Sequence, residues 1–340
     1  HGYWAGIDGR HHHLDGARIE PDPHVAQTLI AAGLKNLDRR FDHVRIVATK
    51  SEAELAAIPS TFGQALDKVP AGQPFFLYFG FSQPHRRWTG RSKDVTFDPA
   101  KLKLPLDYPD LPAVRADYAD FLYSVYDLDR GFGRLMQELT RRGFAENTIV
   151  IFMGDNGESL LRGKGTLHDR GTHVPLIVRW PGTAKPGSQS DILISGEDIA
   201  PTVLRALGLP APAAMTGVSF LPALQGQPFP GREHVFAERG WHAGPITRTD
   251  GLDLSRSITT KRYRYIFNLL PDRTYTPVDM PGTPAWEALG RAHREGKLSP
   301  LHARLLFAAP RPTTELYDLE NDPYELNNLS GQASAEPIET

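Results

Sequence analysis

The sequence predicts an α/β fold, a mostly parallel central sheet flanked by helices, followed by a smaller C-terminal α+β subdomain. Two short, almost unbroken apolar runs, Pro74 to Phe81 (PFFLYFGF) and Asn147 to Met153 (NTIVIFM), have the length and composition of strands buried on both faces. Between them, Val114 to Arg142 carries apolar residues at intervals of three and four and stops at Gly143, as one long amphipathic helix or two in series. Strand, helix, strand in this order is the pattern of a parallel sheet with right-handed crossovers, whose chemistry collects at the carboxyl ends of the strands. Beyond Gly208 the texture turns Pro- and Gly-rich with short strand-like stretches, which marks the second part.

The remaining elements follow in order. His24 to Ala32 has helical spacing with Gly33 after it, KNLDRRFDHVRIVATK is charged and hard to place, and Ser60 or Thr61 caps a short helix through Leu66. VPLIVRW (Val174 to Trp180) is a strand closed by Pro181-Gly182 that continues the sheet, and EDIAPTVLRALG (Glu197 to Gly208) is a helix. Strands are expected at His234 to Glu238, Ser255 to Thr260 and Tyr263 to Leu269, and helices at Trp286 to Gly296 and Pro300 to Phe307. The organisation is a catalytic α/β domain over residues 1–210, an α+β subdomain over 211–330, and a polar, disordered tail over 331–340.

Composition narrows the function classes. With Lys+Arg of 38 against Asp+Glu of 40, the balance points to neither nucleic acid nor an anionic membrane, so an anionic substrate must meet a local cluster. The absence of cysteine excludes disulfides, zinc-thiolate sites and a cysteine nucleophile within these residues. No apolar run reaches the roughly 18 residues of a membrane span. The opening HGYWAGIDGRHHHLDG has neither an initiator Met nor a signal peptide and reads as a truncation, and His11, His12 and His13 read as a polar loop.

Asp155 and Asn156 follow the NTIVIFM strand directly, where oxygen ligands can hold a hard cation such as Ca²⁺ or Mg²⁺; an Asx turn ending the strand accounts for the pair equally well. Lys164, in the Gly-flanked RGKGTLH, can bring an ammonium against an anionic oxygen in the same cleft. His85, in QPHRRW after the first apolar strand, titrates near neutrality and can protonate a leaving group, with Arg86 and Arg87 favouring an anionic ligand. His168 and His173 are alternatives for that role. Glu238, Trp241 and His242 (ERGWH) are candidates for a specificity wall, Trp241 offering a face to a sugar ring, or for a plain surface turn.

Four segments in series, NTIVIFMGDNGES, GKGTLHDRGTHVPLIVRWPG, SGEDIAPTVLRALGLP and ELYDLENDPYELNNL, resemble the sulfatases of the alkaline phosphatase superfamily in order and spacing. PFFLYFGFSQPHR and AVRADYADFLYSVYDLDRGFGRLMQEL resemble the N-sulfoglucosamine sulfohydrolase branch. The resemblance implies the alkaline phosphatase-like sulfatase fold. It also implies hydrolysis of a sulfate ester or sulfamate on a sulfated saccharide, N-sulfoglucosamine being the leading candidate. By it, Asp155 and Asn156 are two Ca²⁺ ligands (Mg²⁺ being the alternative), Lys164 contacts the sulfate, and His85 contacts the sulfate or protonates the leaving atom. Separately from the resemblance, the candidate wall in ERGWH makes Glu238 and His242 the expected substrate contacts. A homodimer and a periplasmic, secreted or lysosome-like location are compatible with it.

The family's nucleophile is a formylglycine hydrate made from Cys or Ser in a C/S-x-P-S-R motif. No such motif occurs here, and neither does the paired aspartate of the family's first strand. Both are expected upstream of His1. The family's Gly-Lys-x-His strand is also missing where AAGL runs into KNLDRRFDHV. The expectation is that these 340 residues alone do not turn over a sulfate ester. The competing readings are a phosphonate or phosphate ester hydrolase of the same superfamily, against which Asn156 argues, and a degenerate, non-catalytic sugar-binding domain.

Overall fold

The computed structural model describes residues 2–9, 41–45, 49, 51–88, 92–241 and 252–332. The expected helix at His24 to Ala32, the triple histidine, His242 and most of the polar tail lie outside them. The chain divides into two compact units, His1–Asp98 with Ala119–Ala145, and Pro99–Tyr118 with Glu146–Thr340.

The first unit is built on a three-stranded parallel sheet. β1 (Trp4–Gly9) lies between β2 (His43–Arg45) and β3 (Phe75–Gly80), with Ile7 opposite Val44 on one side and Tyr78 on the other. The patterning missed β1 because WAGIDG carries two glycines and an aspartate, residues typical of turns. Two contacts explain them. A Cβ on Gly6 would meet Leu77 and Trp4 at 2.8 Å, and Gly9 has φ +88°. Asp8 is fully buried and ion-paired, taking His43 Nε2 at 2.9 Å and Arg45 Nε and Nη2 at 3.0 and 2.9 Å.

Between β2 and β3 runs helix α1 (Glu52–Leu66). Its start is Ser51 rather than Ser60 or Thr61: the Ser51 hydroxyl accepts from Glu54 N at 3.2 Å while Glu54 Oε2 accepts from Ser51 N at 2.7 Å. Leu55, Ile58, Phe62, Ala65 and Leu66 form its buried face, and Phe62 meets Phe79 of β3 edge-on. Strand β3 is not buried on both faces as expected. Phe76 and Tyr78 are 51% and 40% exposed, so the strand has one packed side and one open side.

Helix α2 (Pro112–Arg141) is one continuous helix. Within the first unit, Gly131 lets it close on Leu55, Ile58 and Phe81, where a Cβ would stand 3.0–3.2 Å away. Arg130 and Arg134 fix it to Glu52.

In the second unit, β4 (Val150–Met153) does not extend the parallel sheet. It pairs antiparallel with β5 (Leu176–Arg179), Ile151 opposite Val178, in a separate two-stranded sheet. The short α3 (Asp169–Thr172) precedes β5, and α4 (Ile199–Ala206) and α5 (Leu221–Leu224) follow it. The C-terminal sheet is antiparallel in the order β6 (His234–Trp241), β7 (Leu252–Thr260), β8 (Tyr263–Asn268), β9 (Thr314–Asp318). Between β8 and β9 lie α6 (Pro284–Arg294) and α7 (Pro300–Phe307), where Trp286 stacks on Phe307 at 5.5 Å. Leu289, Leu306 and Leu316 are almost wholly buried. No helix among the described residues is long and apolar enough to cross a membrane.

Candidate active site

The segment after β4 is a tight coil in which glycine is required by close approach. A Cβ on Gly157 would stand 1.7 Å from the Arg170 carbonyl oxygen, one on Gly163 2.1 Å from that of Glu158, and one on Gly171 2.3 Å from that of Thr166. The same approaches close the coil by hydrogen bonds: Gly157 N donates to Gly171 O at 3.1 Å, and Lys164 N to Glu158 O at 2.8 Å. Local sequence thus holds residues 155–171 as one structured loop at the carboxyl end of β4.

That coil aims Lys164 inward. Its ammonium donates to Asp279 Oδ2 at 2.9 Å, the two side chains being 13% and 7% exposed. Ser159 Oγ reaches the same oxygen at 3.3 Å. Asp279 is 115 residues away in sequence and holds φ +68°, so nothing local marks it. Tyr275, from the same crossing segment, accepts the Arg162 amide at 2.6 Å, and Arg170 joins Glu158 at 2.8 Å and buried Asp107 at 3.3 Å. Burial pushes the Asp107 carboxyl up, against the pull of Arg170 and Arg162.

Asp155 stands exposed at the strand end, and Asn156 donates its Nδ2 to Gly157 O at 2.7 Å. A Ca²⁺ ion takes six to eight oxygens. Among the described residues no three His, Cys, Asp or Glu side chains converge, so these two donors do not make a cation site by themselves.

His168 and His173 flank α3. His168 Nδ1 lies 3.2 Å from Glu325 and 3.1 Å from Arg162 Nη2, a structural contact that orients the coil. His173 pairs with Asp169 at 3.3 Å, which raises its pKa against the opposing effect of burial. Glu238 is 73% exposed and pairs with Arg256, its cross-strand neighbour, at 3.2 Å. Its successor Arg239 points to the other face and donates to Gly165 O, beside Lys164. Among the described side chains of ERGWH, the one that approaches the coil is Arg239, which strand alternation would have indicated.

His85 belongs to the first unit. It follows β3 in a turn, its amide donating to Ser82 O at 3.1 Å and its Nδ1 against the Arg86 carbonyl. Thr49 anchors the turn by accepting Ser82 N at 2.8 Å. Arg86 is buried over the Trp88 ring at 3.9 Å, whereas Arg87 is exposed.

Residues 57–209 match the sulfatase family, and residues 157–284 match the N-sulphoglucosamine sulphohydrolase C-terminal family. The chain belongs to the sulfatase family. An ulvan-active sulfatase of Formosa agariphila is 31% identical over 70% of the chain and 38% of its own length. The human N-sulphoglucosamine sulphohydrolase is 30% identical over 76% of the chain and 57% of its own. This sulfatase-family chain therefore spans about half the length of these relatives. Among solved structures, a phosphonate monoester hydrolase of Agrobacterium radiobacter superposes with TM-score 0.66 at 19% identity, over 99% of this chain and 75% of that one. A 2-O GAG sulfatase superposes with TM-score 0.62 at 18% identity, over 99% and 69%. These superpositions establish the alkaline phosphatase-like fold.

Proposed function

We propose that the protein containing this chain is a sulfatase that hydrolyses a sulfate ester or sulfamate on a sulfated sugar, N-sulfoglucosamine being the preferred substrate. The observation that carries the reading is the coil after β4, whose glycine contacts and Asp279 hold Lys164 in one orientation, within the stretch shared by both matched families. In this reading Lys164 stabilises charge on the sulfuryl oxygens, Asp279 positions it, and His85 meets the sulfate or the leaving atom. Asp155 and Asn156 supply part of a divalent cation's shell. Glu238 and His242 contribute to the sugar-binding wall. The likeness to the human sulphohydrolase supports the N-sulfated sugar.

These 340 residues hold no precursor motif for the formylglycine nucleophile, and in this reading activity requires a protein that supplies it. A phosphonate ester hydrolase is the second reading, favoured by the superposition on the Agrobacterium enzyme. The test is product release from N-sulfoglucosamine, an aryl sulfate and a phosphonate monoester by a protein carrying this chain and a formylglycine. Sulfate release from the sugar at the highest kcat/KM supports the proposal; preference for the phosphonate replaces it with the second reading.

A further inference from the structure

Against the C-terminal sheet of the second unit lies a cavity of about 100 Å³, bounded by β6 to β9, by α7 and by the coil around Arg162. A cavity of that size accommodates several water-sized species. Its lining is cationic: Arg162, Arg239, Arg304 and Arg311 face it against the two carboxylates of Asp253 and Glu315.

Partnering does not remove the excess. Arg311 takes Asp253 by both oxygens, at 2.7 and 3.1 Å, and Arg239 takes the same carboxylate at 3.3 Å, so one negative charge serves two guanidiniums. Arg162 has the Glu325 carboxylate close by, but Arg304 donates to the carbonyl of Leu326, an acceptor without net charge, so three guanidiniums, Arg239, Arg304 and Arg311, face the two lining carboxylates. Glu315 already accepts from Asn268 at 2.6 Å and from the Tyr317 hydroxyl at 2.5 Å. The Nε–H groups of Arg239 and Arg311 are both buried and have no hydrogen-bond partner among the described residues. A buried cationic donor left unmade is costly, and an anion accepting from both would satisfy each with a charge-assisted bond.

We propose that this cavity binds a small inorganic anion, of chloride to sulfate size, through the Nε–H groups of Arg239 and Arg311. The anion ties β6 to the segment entering β9 and stabilises the folded chain by mass action. The site does not depend on the sulfatase reading.

The test is the melting temperature of the 340-residue chain as sodium chloride or sodium sulfate replaces sodium gluconate at constant ionic strength. The expected result is a saturable rise of about 2–5 °C, larger for whichever anion the site prefers and lost in Arg311→Lys and Arg239→Lys, which keep a cation but lack the Nε donor. No saturable rise, or an equal rise in both variants, overturns the proposal. If neither variant folds, bromide soaked into crystals of the unaltered chain decides. An anomalous peak within hydrogen-bond reach of both Nε atoms supports the site, and water alone in the cavity overturns it.

Discussion

Two buried carboxylates set how single residues control stability. From inside β1, Asp8 compensates the Arg45 guanidinium and accepts from His43, and removing the carboxylate leaves the Arg45 charge uncompensated. Asp8→Asn should cost about 3 kcal/mol in chemical denaturation; a loss below about 1 kcal/mol would show that the network relaxes into solvent. Glu325 is almost wholly buried, which acts to raise its carboxyl, but His168, Arg264 and Arg162 outweigh burial and hold it lowered to about 2, from an ordinary 4.5. A carboxyl with a depressed folded pKa contributes stability fully above the unfolded value and loses it as pH falls through the folded one. The stability difference between the parent and Glu325→Gln should therefore shrink as pH falls from about 4.5 to about 2. A constant gap would mean the charge is immaterial. At this scale the sequence was informative wherever a residue and its context lie close together: Asp155, Asn156 and Lys164 stand out beside a strand. Asp279 and Tyr275 reach the same coil across long separations with no local pattern to mark them, whereas Arg239 is marked by strand alternation next to Glu238.

At the scale of elements, periodicity located the described helices of eight residues or more, α1 only in its second half, and apolar runs located most strands, while the four-residue α3 and α5 went unforeseen. Patterning failed where a different constraint ruled. β1 is specified by close backbone approach and a buried ion pair, so its composition resembles a turn. For α1 the sequence offers Ser60 or Thr61 as the cap, whereas the Ser51 capping box sets the start nine or ten residues earlier. Ser51→Ala should cost about 1 kcal/mol, measured by urea unfolding, and an unchanged midpoint would remove the cap from the account. β3 and β4 have the apolar composition of doubly buried strands yet keep exposed side chains at Phe76, Tyr78 and Met153. Composition reports the capacity for burial and not the partner that fulfils it. In the coil after β4, Gly157→Ala forces a Cβ onto the Arg170 carbonyl and should destabilise by about 1–3 kcal/mol. Parent-like thermal unfolding of that variant would show that the coil is looser than its contacts imply.

For the whole molecule, fold and family agree: a parallel three-stranded sheet, a two-stranded pair and a four-stranded antiparallel sheet occur in a chain whose matches are sulfatases and whose superpositions are alkaline phosphatase-like. The four ordered segments made that class legible, since each joins a strand end or helix start to residues with chemistry. The sequence names Lys164 as a cation of the coil but not its partner, Asp279, which lies across the second unit. The most direct measurement is kcat/KM for sulfate release by a formylglycine-bearing protein that contains this chain, compared with its Lys164→Ala variant. A positioned cation facing developing negative charge contributes roughly two to three orders of magnitude, so the account predicts a loss of about 100-fold or more with folding intact. Turnover within a factor of a few of the parent would contradict it.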